Sequence, residues 1–176
     1  MSFTALLQAI VDGILTGGVY ALMAAGLTLI FGVMDIINIA QGVMVILGAY
    51  LSYELSVHLG IGLLPGLLIT VPFMFCLGVA VEFCFMRRLR DQDRTQMSIL
   101  VTYAVAIVIE GILTAIFGVD FVQLQASYVN SSVHLFGFYL ADIYLIGFVL
   151  AVALLAALYY ILYRTKFGRA VRASLQ

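Results

Sequence analysis

The chain has 176 residues, a formal net charge of −1 at neutral pH, 65% hydrophobic residues and 10% Asp, Glu, Lys and Arg. A water-soluble domain carries about a quarter charged residues, so this composition excludes a water-facing surface and makes lipid the solvent. The eight basic residues fall in two short clusters beside apolar stretches, a pattern that fits anionic lipid heads and argues against nucleic acid.

The fold class that follows is an all-α integral membrane protein, a polytopic bundle of about five transmembrane helices, each needing about 20 apolar residues. Span one runs from about Ala9 to Phe31. No Lys or Arg precedes it, which argues against a cleaved signal peptide and for a retained helix. Gly13, Gly17, Ala21 and Ala25 recur at four-residue spacing, with Gly18, Leu22 and Gly26 along the neighbouring face. Small residues in this pattern let another helix approach closely. Gly13, Gly17, Gly18, Ala21 and Gly26 are therefore the helix-packing candidates, either for packing alone or for packing combined with lining a transport route.

Span two runs from about Ile36 to Tyr53. If Ile36 begins the helix, Asn38 and Gln41 lie three residues apart on one face. Their amides need partners and cannot face lipid cheaply. They serve either to tie up backbone groups at a broken or tightly turned helix start, or to line an aqueous or substrate route.

Span three runs from about Ile61 to Phe83 and holds Pro65, Pro72 and Cys76. Pro65 fits a first helical turn, where its missing N–H has no helix partner, and Pro72 is expected to kink the helix. Neither cysteine, Cys76 or Cys84, has the spacing or nearby His of a metal site. The first basic cluster, Arg87, Arg88, Arg90 and Arg94, follows, with Glu82 close by. Span four, about Met97 to Val119, carries Glu110 in its middle. A carboxylate at that depth has to face protein or a water-filled cavity. Hydrogen bonding, route lining and proton coupling are its three available uses.

The segment from Asp120 to Asp142 has no Lys or Arg and a polar middle that includes Gln123, Gln125 and Asn130. Its stretch from Val133 to Tyr139 reads as a short interfacial strand or turn leading into span five, about Ile143 to Leu162. The second basic cluster, Arg164, Lys166, Arg169 and Arg172, closes the chain. The positive-inside rule puts both clusters in the cytoplasm. Counting back through the spans puts the N-terminus outside and the C-terminus in the cytoplasm. The chain has no Walker A loop, no zinc-protease spacing and no Ser/His/Asp set. It is expected to have no catalytic residue, no metal site and no cofactor of its own.

Three stretches carry a resemblance to a known family. The first runs from Gly13 to Leu22, then from Ala25 to Val33, then through Ile37-Asn38-Ile39-Ala40-Gln41-Gly42 to Leu47-Gly48-Ala49-Tyr50. The second is Arg87-Arg88-Leu89-Arg90 and the span ending Phe117-Gly118; the third runs from Arg164 to Ala173. Together they resemble permease subunits of ABC importers for branched-chain amino acids, a family that also includes urea and short-amide permeases. Two departures stand out: Ile39 replaces an aromatic residue, and Thr102-Tyr103-Ala104 stands where the family often has Thr-x-Gly.

The resemblance implies one transmembrane permease domain over residues 1–176, incomplete at its C-terminal end relative to the family. It implies a multi-pass protein of a bacterial cytoplasmic (inner) membrane. Its partners would be a second permease subunit, two cytoplasmic ATPase subunits that use ATP, and an extracytoplasmic solute-binding protein. Asn38, Gln41 and Glu110 are then candidates for the translocation route. Gly168, Arg169 and Arg172 are candidates for coupling to the ATPase. Import of urea or short amides, a non-transporting membrane scaffold or assembly fragment, and a passive channel are the competing readings.

Overall fold

A computed structural model of the chain describes residues 3–89, 94–118, 132–135, 138–166 and 168–169. Five long helices carry it: α1 (Phe3–Met34), α2 (Gln41–Leu59), α3 (Leu63–Cys84), α4 (Arg94–Phe117) and α5 (Asp142–Arg164). All five are long and apolar enough to cross a membrane. A 3-10 turn, Met86–Arg88, follows α3, and an antiparallel pair, β1 (Ser132–Leu135) and β2 (Phe138–Ala141), precedes α5. Large apolar side chains point outward along every span, as far as 79% exposed at Leu68 and 71% at Phe75. In water that surface would be untenable; in lipid it is the contact surface. The protein is therefore a polytopic helical membrane protein.

Each expected span has a helix, with shifted ends. α1 is the longest, 32 residues, and outruns the expected span at both ends. The largest correction concerns α2, which starts at Gln41 rather than at Ile36. Asn38 therefore precedes the helix and does not share a helical face with Gln41. The chain leaves α1 at Asp35, a left-handed residue with φ 57°. Asp tolerates that conformation better than most side chains, so it can end a helix where Gly usually stands. The next residues include Ile36, Ile37 and Ile39, whose branched Cβ atoms suit extended backbone. At the other end Gly60, φ 63°, closes α2 and donates its N–H to the Leu55 carbonyl.

Two compact units make up the chain. The first contains α1 to Val33, β1, β2 and α5. Within it a Cβ at Gly18 would collide with the Phe148 ring, and one at Gly147 would meet Val19 Cγ2 at 3.6 Å. Each helix thus offers a glycine to a side chain of the other. β1 and β2 pair from Ser132↔Ala141 to Leu135↔Phe138, and β2 runs directly into α5. Expectations for Gln123, Gln125 and Asn130 fall outside the described residues.

The second unit, Met34–Leu124, holds α2, α3 and α4. α2 and α3 run antiparallel, with Gly48 beside Met74 and Ser52 Oγ 3.3 Å from Thr70 Oγ1. α2 meets α4 through Tyr50 and Phe117, ring centroids 4.3 Å apart. Pro65 sits in the first turn of α3, and α3 continues through Pro72. Cys76 and Cys84 are free and exposed. Arg87 lies 5.8 Å over the Phe83 ring, a cation–π contact near the end of α3. Of the five spans α4 buries the largest share of its residues. Its buried side chains are Ser98, Thr102, Ala106 and Leu113.

Candidate functional site

Residues 35–40 are not helical, yet they lie against the first turns of a membrane-spanning helix. Backbone in hydrocarbon must satisfy its own N–H and C=O groups, each costing several kcal/mol if left bare. Here α4 supplies the partners from side chains. Thr95 Oγ1 donates to the Asp35 carbonyl at 2.9 Å. Ser98 Oγ accepts the Ile37 N–H at 3.2 Å and donates to the Thr95 carbonyl at 2.7 Å. Thr102 Oγ1 accepts the Ile39 N–H at 3.2 Å. Its one proton has three carbonyls in reach: Ser98 at 2.7 Å, Ile37 at 3.2 Å and Ile99 at 3.2 Å.

Helical spacing explains the α4 side of this contact. Thr95, Ser98 and Thr102 recur at that spacing, so they share one face of α4. The opposite side is the non-helical backbone at Asp35, Ile37 and Ile39. Seven residues of helix rise about 10 Å at 1.5 Å each, so the segment runs alongside α4 for about that length before α2 begins. Ser98 and Thr102 are buried, at 0% and 2% exposure.

Ile36 and Ala40 are buried, Ile37 and Asn38 are half-buried, and Ile39 is exposed. Asn38 Oδ1 is fully enclosed and has no hydrogen-bond partner among the described residues. A buried carbonyl left without a donor costs about 1–3 kcal/mol. A water, an amide N–H or an ammonium group arriving there would offset that cost.

The other sequence candidates are spread out. Gln41 is the first residue of α2 and half-buried. Glu110 is exposed, eight residues beyond Thr102 and so about 12 Å further along α4. Asn38 and Gln41 are thus close in sequence at one helix start, and Glu110 stands apart from them along the span. Gly13 and Gly17 have open space at their Cα atoms, Gly18 faces Phe148, Ala21 is exposed and Gly26 is half-buried. Gly168 is buried at the end of α5, where a Cβ would strike the carbonyls of Leu162 and Ile161. Its N–H donates to Thr165 Oγ1 at 3.1 Å. Arg169 is exposed, and Arg172 lies outside the described residues. Among the described residues no three His, Cys, Asp or Glu gather as metal ligands.

Sequence reading missed Thr95 and Ser98 and treated Thr102 only as part of a motif. Their signal was available: three hydroxyls on one face at the start of an otherwise apolar span.

Comparison with known proteins adds a family to this geometry. The family described as branched-chain amino acid transport system / permease component matches residues 9–176. A probable branched-chain amino acid transport permease protein LivH of Methanocaldococcus jannaschii is 30% identical over 172 residues, covering 93% of this chain and 53% of that protein. The chain thus spans about half the length of that relative. The high-affinity branched-chain amino acid transport system permease protein BraD of Pseudomonas aeruginosa is 38% identical over 47 residues, 27% of this chain and 15% of BraD. The corresponding LivH of Escherichia coli K12 is 37% identical over 51 residues, 29% of this chain and 17% of LivH. No solved structure matches the chain.

Proposed function

The chain belongs to the permease family of branched-chain amino acid transport systems, and on that premise we propose that it is a permease subunit of an ATP-driven importer of branched-chain amino acids. The observation that carries the proposal is the hydroxyl-held break before α2, with the enclosed, partnerless Asn38 carbonyl beside it. Irregular backbone at membrane depth occurs where it is covered by protein or lines a cavity, and transporters place substrate at such breaks. Asn38 and Gln41 line the route at this break. Glu110 lines it further along α4, where an exposed mid-span carboxylate needs water or protein cover.

In this reading residues 1–176 act as one transmembrane permease domain in a cytoplasmic (inner) membrane. A solute-binding protein delivers the amino acid to the outer face. A second permease subunit completes the enclosure. Two cytoplasmic ATPase subunits bind and hydrolyse ATP; this chain holds no cofactor. The basic clusters at Arg87–Arg94 and Arg164–Arg172 support a cytoplasmic C-terminus and an outer N-terminus. Gly168, Arg169 and Arg172 contact the ATPase. Energy from ATP produces uptake only if the conformations of the permease differ in substrate affinity or access.

The test is uptake of radiolabelled leucine and urea by vesicles that hold the chain with its ATPases and binding protein. ATP-dependent leucine accumulation is the expected result. Accumulation of urea without leucine would assign the chain to amide import. Flux that persists without ATP would make it a passive channel, and absence of any flux would leave the scaffold reading.

A further inference from the structure

We infer that Thr102 is the positioning residue that sets Asn38 in the translocation route, with Ser98 supporting the same stretch of backbone. Thr102 Oγ1 accepts the Ile39 N–H at 3.2 Å and lies 3.2 Å from the Ile37 carbonyl. One hydroxyl therefore stands between the C=O before Asn38 and the N–H after it, accepting from the second and within donor reach of the first. A tight turn joins such groups directly across one residue; here an oxygen from another helix stands between them. The bridge restricts the backbone on both sides of Asn38, and with it the direction of the side chain.

Ser98 strengthens the arrangement from the preceding peptide by accepting the Ile37 N–H. Its own proton goes to the Thr95 carbonyl at 2.7 Å, which orients its lone pairs toward Ile37. Both hydroxyls are buried, so neither has water as a competitor. Thr102 is the more specific of the two, because it meets groups on both sides of Asn38, and its proton has the Ser98 and Ile99 carbonyls of its own helix in reach as well. Residue 38 is thus held by a hydroxyl whose donor bond can be exchanged without exposing a polar group. A hydroxyl that merely filled helix-packing space would touch neither neighbour of Asn38.

This inference rests on the route role of Asn38 proposed above, and its test separates the two. Leucine KM and maximal rate are measured in the reconstituted transporter for Thr102→Val, Thr102→Ser, Asn38→Ala and the Thr102→Val/Asn38→Ala pair. Thr102→Val keeps the shape of the side chain and removes the hydroxyl. Losing one such hydrogen bond should raise KM about fivefold, with little change in maximal rate. Thr102→Ser should restore the original KM. Adding Thr102→Val to Asn38→Ala should change KM no further, because Thr102 acts through Asn38.

A second arm needs no transport. Asn38→Cys is introduced with Cys76→Ser and Cys84→Ser, and its modification by a small maleimide is timed in membranes. Thr102→Val should speed the modification about fivefold, and Thr102→Ser should not. Thr70→Val, which alters a hydroxyl contact between α2 and α3 instead, should leave the rate unchanged. Equal labelling rates with and without the Thr102 hydroxyl would overturn the inference, whatever uptake does. Additive KM effects in the double variant would overturn it too, as would an unchanged KM in Asn38→Ala. If the unaltered transporter takes up no leucine, the branched-chain amino acid reading fails and the labelling arm decides whether Thr102 holds residue 38.

Discussion

The α1–α5 contact and the α4 contact with residues 35–39 use opposite chemistry under the same solvent. At the first, Gly18 makes room for the Phe148 ring and Gly147 faces Val19. Both of these pairs are apolar, and both partners are regular helices whose backbones are already satisfied. At the second, Thr95, Ser98 and Thr102 hydrogen-bond a backbone that is not helical. Lipid tails are as apolar as Leu, so close fit is what helices can gain from one another in a bilayer. Irregular backbone needs hydroxyls as well. The contrast teaches that two regular helices can meet through small residues alone, whereas backbone that has left the helix needs hydrogen-bond partners from elsewhere.

The strongest way to break the contrast is to put bulk where the polar contact has no space. Ser98→Leu would overfill a fully buried position and leave the Ile37 N–H bare, costing about 3 kcal/mol or more. Melting in detergent should show a large loss of stability, or the protein should fail to accumulate in the membrane. An unchanged melting temperature would mean that α4 does not hold the segment.

Next in size is Gly18→Leu, expected to cost about 2 kcal/mol through its collision with Phe148. Phe148→Ala in the same chain should recover much of that loss, because it removes the ring that Leu would strike. No recovery would show that Gly18 is needed for something other than this contact. The same thermal assay on the single and double variants gives the answer.

A smaller effect is expected at Asp35, whose φ of 57° strains most side chains. Asp35→Val should destabilise by about 1 kcal/mol, whereas Asp35→Gly should be neutral or slightly stabilising. The reverse order would show that the Asp carboxylate matters more than its backbone.

The smallest is Thr28→Val. Thr28 Oγ1 donates to the Ala24 carbonyl on an exposed part of α1, a bond to a group that the helix already satisfies. Its loss should shift stability by less than about 0.5 kcal/mol. A large effect would mean that hydroxyls matter generally in this protein, and the contrast with Ser98 would disappear.

Much of the fold was legible because lipid imposes so few solutions. Runs of apolar residues about as long as a bilayer is thick must be helices, and each expected span has one. The start of α2 is not legible in sequence for an identifiable reason. A hydropathy pattern sees Ile36, Ile37 and Ile39 as membrane-compatible, but it does not say whether their backbone bonds lie within the segment or reach another helix. The answer depends on hydroxyls some sixty residues away in sequence. Asn38 and Gln41 stood out from sequence as amides that lipid would not tolerate. The reason Asn38 has its present orientation did not, since Thr102 is just another threonine until it is placed against Ile37 and Ile39.

The sequence by itself determined that the chain lives in lipid, that it crosses the bilayer as helices, and which family it resembles. These follow from composition, run length and ordered motifs, all of which are local. Tertiary structure decided where α1 yields to non-helical backbone and where α2 begins. It also decided that Gly18 rather than Gly13 or Gly17 receives a ring, and that Asn38 presents an enclosed, partnerless carbonyl. Those outcomes depend on which polar and apolar groups meet within each unit, and hydrocarbon leaves a buried polar group no water to fall back on.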